Sequence, residues 1–355
     1  MKILVTGAAG YIGSHASNAL IAAGFEVVAY DNLSTGFLQA IPSQVKFIEG
    51  DIRNTDKLTR AMIDNKVDAV IHFAAKLKVP ESITKPLDYY DNNISGTISL
   101  IQSCKIAKID KVIFSSTAAV YGTANGHDGL VTEHSIISPI NPYGSSKLMA
   151  ERILQDSENA HGIRSVILRY FNVAGAAVDG KNGQRTLDAS HLIKVAAEAA
   201  CGKRQQVQVF GTDYPTKDGS GVRDYIHVED LIDAHILALK YLEQGGESQI
   251  LNCGYGRGYS VLEVLDTMKR ITGASFDVIR QDRRAGDAPL LVADSSKLKK
   301  LLGWTPKRDD LNLICRTSFE WERKYMQTPE EVPSHWMLDQ GLFQFVDLQK
   351  ALVFP

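Results

Sequence analysis

Lys2-Ile3-Leu4-Val5-Thr6-Gly7-Ala8-Ala9-Gly10-Tyr11-Ile12-Gly13 reads as a buried strand, a glycine-rich turn and the opening of a helix. Gly7 and Gly10 permit a tight turn and the close approach of backbone to a pyrophosphate, while Gly13 lets the helix pack on the strand with its N-terminal amides facing the anion. A glycine triplet alone is often only a turn. Here the preceding apolar run, a helix predicted over Tyr11–Ala23 and a terminating Gly24 supply the context of a dinucleotide-binding start.

Outward from this stretch, short apolar runs recur at Glu26–Tyr30, Val45–Glu49, Ala69–Phe73, Lys111–Ser115 and Ser165–Tyr170. Helical stretches such as Asp56–Asn65 and Pro86–Lys108 separate them. This alternation predicts an α/β fold, a Rossmann-like doubly wound parallel sheet accompanied by a smaller α/β substrate-binding lobe. The expected division is a dinucleotide-binding domain over 1–172, a second lobe over 173–326 and an extension over 327–355. Segments near 224–253 are expected to return to the first lobe. At 355 residues the chain exceeds the roughly 250–300 at which single cores stop growing, which favours two lobes and a cleft.

With 44% hydrophobic and 23% charged residues and a net charge of −2, the chain offers no general attraction to nucleic acid or an anionic membrane. No run approaches the ~20 apolar residues of a membrane span, and the N-terminus is already committed to a strand rather than a signal peptide. Cys104, Cys201, Cys253 and Cys315 are widely spaced in apolar or helical contexts, which points to reduced thiols and a cytoplasmic setting. His72, His191 and His227 lack a second histidine or cysteine at ligand spacing, so no metal is expected.

Asp31 closes the second strand 18 residues after Gly13, where a carboxylate accepts hydrogen bonds from an adenosine ribose. No Arg or Lys lies between Asn32 and Ser43 to receive a 2′-phosphate, so NAD is favoured over NADP. Asp51-Ile52 and Phe73-Ala74 follow the third and fourth strands, at the edge where open sheets bind ligands. Tyr143 and Lys147 stand at i and i+4, on one face of a helix that Pro139 and Pro142 help to start. A fixed ammonium beside a phenol favours the phenolate and is expected to lower its pKa. Thr117, ending Val112-Ile113-Phe114-Ser115-Ser116-Thr117, falls at the same sheet edge.

The glycine turn, Ser115-Ser116-Thr117 and Tyr143-x-x-x-Lys147 resemble the extended short-chain dehydrogenase/reductase superfamily. The resemblance narrows to the UDP-glucose 4-epimerase family through Asp31-Asn32, His72-Phe73-Ala74, Lys85 to Asn93, Arg169-Tyr170-Phe171-Asn172, Val222 to Val228 and Arg284-x-x-Asp287, and spans about residues 1 to 326. It implies that Tyr143 takes the proton of the sugar 4-hydroxyl, that Lys147 tunes it and holds the nicotinamide ribose, and that Thr117 hydrogen-bonds the reacting oxygen. It further implies a cofactor site of Gly7, Gly10, Tyr11, Ile12, Gly13, Asp31, Asn32, Asp51, Ile52, Phe73, Ala74, Asn92, Tyr143, Lys147 and Tyr170. On the substrate side, Asn172, Arg223 and Arg284 would hold the diphosphate of a UDP-sugar, Leu192, Val209 and Phe210 the uracil region, and Asp287 the uridine ribose. His191 joins the substrate-binding set, and Leu291 helps to set the hexose pocket, leaving N-acetylated sugars open.

Each substrate-side residue has a plainer reading: Phe210 as core, Asp287 as a turn residue, either arginine as a surface ion pair. A 4,6-dehydratase needs an acid–base pair after the threonine, where this chain has Ala118-Ala119. A UDP-hexuronate epimerase or decarboxylase differs mainly in pocket residues. A non-catalytic NAD sensor usually lacks the tyrosine present here. The family pairs as a homodimer through the helices corresponding to Pro86–Lys108 and Tyr143–His161. The extension, with Trp336, Leu342, Phe343, Phe345 and Val353, is expected to dock on the protein's own surface or a partner subunit.

Overall fold

The structure, a computed structural model, describes residues 1–123, 129–284 and 287–327. The expectation for the C-terminal extension lies outside the described residues. Strands β1 (Lys2–Thr6), β2 (Glu26–Asp31), β3 (Lys46–Glu49), β4 (Ala69–His72), β5 (Lys111–Thr117), β6 (Leu130–Val131) and β7 (Arg164–Tyr170) come first in the chain. They are followed by β8 (Asn172–Ala174), β9 (Gln206–Phe210), β10 (Val222–His227), β11 (Gln249–Cys253), β12 (Gly258–Ser260), β13 (Asp277–Gln281) and β14 (Leu290–Ala293).

Seven strands form one sheet in the order β11-β7-β5-β4-β1-β2-β3. Every neighbouring pair in it is parallel. Alternate residues of β1 serve two cores: Ile3 and Val5 face one apolar cluster, Leu4 the other. Leu20 of helix Tyr11–Ala22 and Leu231 and Leu239 of helix Val228–Glu243 close the first. Leu58, Leu100 and Leu154, from helices Thr55–Asp64, Gly96–Ala107 and Pro142–His161, close the second. A sheet covered on both faces requires the near-continuous apolar strands that the sequence displays.

The order reverses between β1 and β4, the point where open parallel sheets present a crevice at their carboxyl ends. The helix expected over Pro86–Lys108 is interrupted by a π-turn at Asp91–Ser95, a widening that typically accompanies function. The segment returning to the main sheet begins later than residue 224. Helix Val228–Glu243 packs on the sheet and β11 pairs with β7, but β10 lies in the second lobe, antiparallel to β12 and parallel to β14 and β8. The second lobe also holds the parallel pair β9 and β13.

Candidate active site

The glycine turn has no room for side chains. A Cβ on Gly13 would lie 2.1 Å from the Gly7 carbonyl oxygen, and one on Gly7, whose φ is +71°, would lie 2.6 Å from the Ala74 nitrogen. Helix Tyr11–Ala22 begins at Gly10 with no side-chain cap and no acidic residue in its first turn. Its leading amides are therefore suited to an anion. Asp31, almost fully buried, accepts from the Ala9 amide at 2.9 Å and from the Leu33 amide at 2.8 Å, which ties the end of β2 to the glycine turn. Burial raises its pKa, and those amide bonds oppose the rise. These features fit a dinucleotide: an open phosphate cradle and a buried carboxylate beside it at the end of β2.

Other expected cofactor residues are spread around this turn in differing ways. The Tyr11 phenol donates to the Gly175 carbonyl at 2.6 Å and sits edge-on to His15, so the side chain bridges to the second lobe and leaves the backbone of Tyr11, with Ile12, for the phosphate. Asn32 donates to the Asp51 carboxylate at 3.2 Å. Asp51 is drawn down to about 2, chiefly by hydrogen bonds from the Arg53 side chain. The Ile52 side chain belongs to the core and fills the space above Gly96, where a Cβ would meet it at 2.4 Å, so it does not face the crevice as a side-chain ligand would. Phe73 and Ala74 follow β4 and back onto Gly7.

Asn92 donates to Asn93 at 3.0 Å, and Asn93 carries a role that the sequence alone did not reveal. Its buried amide accepts from the Lys76 nitrogen at 2.8 Å, donates to the Lys76 oxygen at 3.0 Å and donates to the Ser146 hydroxyl at 2.9 Å. It thereby locks the segment after β4 to the helix carrying Tyr143. The only local signal is its place in the π-turn.

Thr117 ends β5 opposite Tyr170 of β7. Its hydroxyl accepts from the Ala119 amide at 3.1 Å and acts on the Tyr143 phenol, lowering its pKa. Tyr170 is hydrogen-bonded to the Ser115 hydroxyl. The Lys147 ammonium, buried at 4% exposure, donates to the Ser115 carbonyl at 2.8 Å and lies 4.9 Å above the Phe114 ring. Burial pulls Lys147 down to about 7, against a rise from Glu151. The expected lowering of the Tyr143 pKa by Lys147 is not what the structure shows. Burial raises the phenol, and the opposing influence is the Thr117 hydroxyl. The i,i+4 spacing places the two on one face, but the ammonium is directed into the strand carbonyl.

The substrate-side residues fall into two groups. Asn172, His191 and Leu192 line one small crevice, with Gln184 bonded to His191 at 3.2 Å. Burial lowers the His191 pKa, and Lys78 lowers it further. The second group gathers Arg223, Asp287 and Leu291: Arg223 pairs in register with Leu291, and its guanidinium stands 3.9 Å from the Asp287 carboxylate. The Arg284 guanidinium lies 3.6 Å above the Phe210 ring, so Phe210 is a platform rather than core. Val209 is core: its side chain is wholly buried in the main apolar cluster, as the alternation in Gln206–Phe210 dictates, and cannot touch a nucleobase. Among the described residues no cluster of three or more His, Cys, Asp or Glu could hold a metal.

A doubly wound sheet with an open phosphate cradle at its switch point and a tyrosine–threonine pair beside it defines a dinucleotide-dependent α/β enzyme. The chain belongs to the NAD dependent epimerase/dehydratase family, whose sequence model matches residues 3–254. It is 53% identical over 327 residues to the UDP-glucose 4-epimerase of Azospirillum brasilense, covering 92% of this chain and 93% of that one. It is also similar to the crystal structure of UDP-glucose 4-epimerase from Brucella ovis in complex with NAD, at 43% identity and a TM-score of 0.87 over 90% of this chain and 97% of that one. The UDP-Glc/GlcNAc 4-epimerase from Campylobacter jejuni is 47% identical, with a TM-score of 0.80, over 91% of this chain and 99% of that one.

Proposed function

We propose that the chain interconverts UDP-glucose and UDP-galactose, with Tyr143 as the acid–base group, Thr117 as the hydrogen-bonding partner of the reacting oxygen and Lys147 as the fixed cation beside them. This function rests on one observation above the others: Thr117 at the carboxyl end of β5 acts on the Tyr143 phenol and pulls against its burial, next to a cradle shaped for NAD. Bound NAD supplies a two-electron oxidant for sugar C4 and a positive charge that favours the Tyr143 phenolate. Tyr143 accepts the 4-hydroxyl proton as the 4-keto sugar forms and returns it to the same oxygen when C4 is reduced from the opposite face. Thr117 holds that oxygen and the phenol in line.

Turning a keto sugar over between two reductions requires tight holding of the remote nucleotide and loose holding of the hexose. Arg223 and Arg284 suit the diphosphate through their planar donor forks, Phe210 suits the uracil, and Asp287 suits a ribose hydroxyl. Val209 contributes backbone only. Leu291 closes the hexose side against Ala118, Tyr121 and Phe171. Its moderate size favours a second reading in which UDP-N-acetylhexosamines are also accepted, in keeping with the Campylobacter relative. Ala118 and Ala119 after Thr117 give no acid–base pair for dehydration.

Incubating the purified protein with UDP-galactose, UDP-N-acetylgalactosamine and UDP-glucuronate, without added reductant, tests the function directly. Conversion of UDP-galactose to UDP-glucose is expected, and conversion of none of the three would overturn it. A homodimer pairing through helices Pro86–Tyr90, Gly96–Ala107 and Pro142–His161 is supported by Leu87, Ile98 and Met149, exposed at 77%, 43% and 47%. A monomeric mass at sedimentation equilibrium would remove it. A reducing, cytoplasmic setting is supported by the four cysteines, all free thiols.

A further inference from the structure

One turn beyond Lys147, on the same helix face, Glu151 is 2% exposed and carries a charge that the proposed chemistry does not use. Arg169 grips it from β7, with Nε 2.9 Å from Oε1 and a second donor on Oε2. The Ser116 hydroxyl donates to Oε1. Arg169 also donates to the Tyr121 hydroxyl at 3.1 Å, and Tyr121 donates to Asn252 of β11 at 2.7 Å. The network thus joins the helix to three adjacent strands. Ser116 and Arg169 are register partners, and each is the residue immediately before Thr117 and Tyr170.

A buried ion pair is a poor source of stability, since well-packed apolar residues of similar volume do as well or better, so its position asks for a different explanation. We propose that Glu151, clamped by Arg169 and Ser116, is a positioning residue for the active site: it fixes the catalytic helix against the ends of β5 and β7 and gives Lys147 the counter-charge that keeps its ammonium cationic. The inference rests on the function proposed above. The groups that act on Lys147 are Glu151 on its own helix, the Ser115 carbonyl and Phe114 ring on β5, and His72 on β4. Among these, only Glu151 is negative. Burial and Glu151 act on Lys147 in opposite senses, which leaves the ammonium poised near neutrality.

Glu151→Gln, made in the full chain with its cofactor, keeps the shape and removes the charge. Expected are a roughly tenfold fall in kcat with KM for the UDP-sugar unchanged, and an alkaline limb of the pH–rate profile displaced to lower pH, because the uncompensated ammonium loses its proton sooner. A folded variant with the wild-type profile overturns the proposal. So does one that loses stability and kcat with no displacement, since that is a structural role alone. If Glu151→Gln does not fold, the double variant Glu151→Gln with Arg169→Met removes both charges; a displacement in the same sense is expected, reduced because a cation is lost with the anion, and no displacement overturns the proposal. A wild-type enzyme that converts no UDP-sugar would instead overturn the proposed function, and the two failures are thereby separate.

Discussion

The Tyr143 phenol does not stand in the environment that its spacing to Lys147 suggests. Burial pushes it above its ordinary range, and Thr117 alone among protein groups pulls it back. Removing the hydroxyl removes the proposed carrier of the 4-hydroxyl proton. Tyr143→Phe is expected to lower kcat by about a thousandfold while leaving bound NAD in place, which a coupled assay and the absorbance of the purified protein would show. Tyr143, Lys147 and Thr117 stand out in the sequence because their residue types and spacing are those that the proposed chemistry needs. The Lys147–Ser115 and Glu151–Arg169 contacts were not, since partners 18 and 32 positions apart meet only once the strands are aligned. The Val209 and Ile52 side chains are buried in the core, a facing that proximity along the chain to a site residue does not give.

At the scale of the element, the glycine turn was the most readable feature because it is dictated by backbone sterics rather than by tertiary partners. Gly13 admits no substituent: the obstacle to a Cβ is the Gly7 carbonyl, which is held between β1 and the helix and cannot swing aside. Gly13→Ala is expected to weaken NAD retention about ten- to a hundredfold, the range that overpacking a rigid site of this kind allows, and dialysis followed by measurement of the remaining cofactor would check it. The π-turn at Asp91–Ser95 was not legible in the uninterrupted helical pattern of Pro86–Lys108. It depends on Asn93 finding Lys76 and Ser146, contacts that connect three separate segments. Similarly, β10, with Arg223, Asp224 and His227 among its six residues, carries no local sign of its sheet, and only its pairing partners place it beside β8, β12 and β14.

For the whole molecule, the two-layer covering of a parallel sheet was legible from the alternation of apolar strands with helices, and so was a smaller α/β lobe, whereas the pairing of that lobe's short strands between long loops was not. Among the described residues, His15, His72, His227 and His235 are buried. His15 and His235 donate Nδ1–H to backbone carbonyls at 2.8 and 2.9 Å and leave Nε2 without a partner. Burial lowers both to about 4 and lowers His72 and His227 to about 3. Below their ordinary value of 6.5 the unfolded chain takes up these protons and the folded chain does not, so stability falls with falling pH, by up to about 1.4 kcal/mol per pH unit for each imidazole. Asp224, which burial raises to about 6, acts in the opposite sense and offsets about one of the four below that pH. Urea titrations at about pH 7.5 and about pH 5 should show a clear drop in the unfolding midpoint at the lower value. Equal midpoints would mean that these imidazoles are not held neutral.

The central claim is that Tyr143 moves only the hydroxyl proton, while the hydrogen on C4 leaves and returns within one closed site. UDP-galactose carrying deuterium at C4, incubated with the enzyme in ordinary water, tests it most directly. The UDP-glucose formed is expected to keep its deuterium at C4, as read by mass spectrometry and proton NMR. Product formed with that deuterium exchanged for solvent hydrogen would contradict the account.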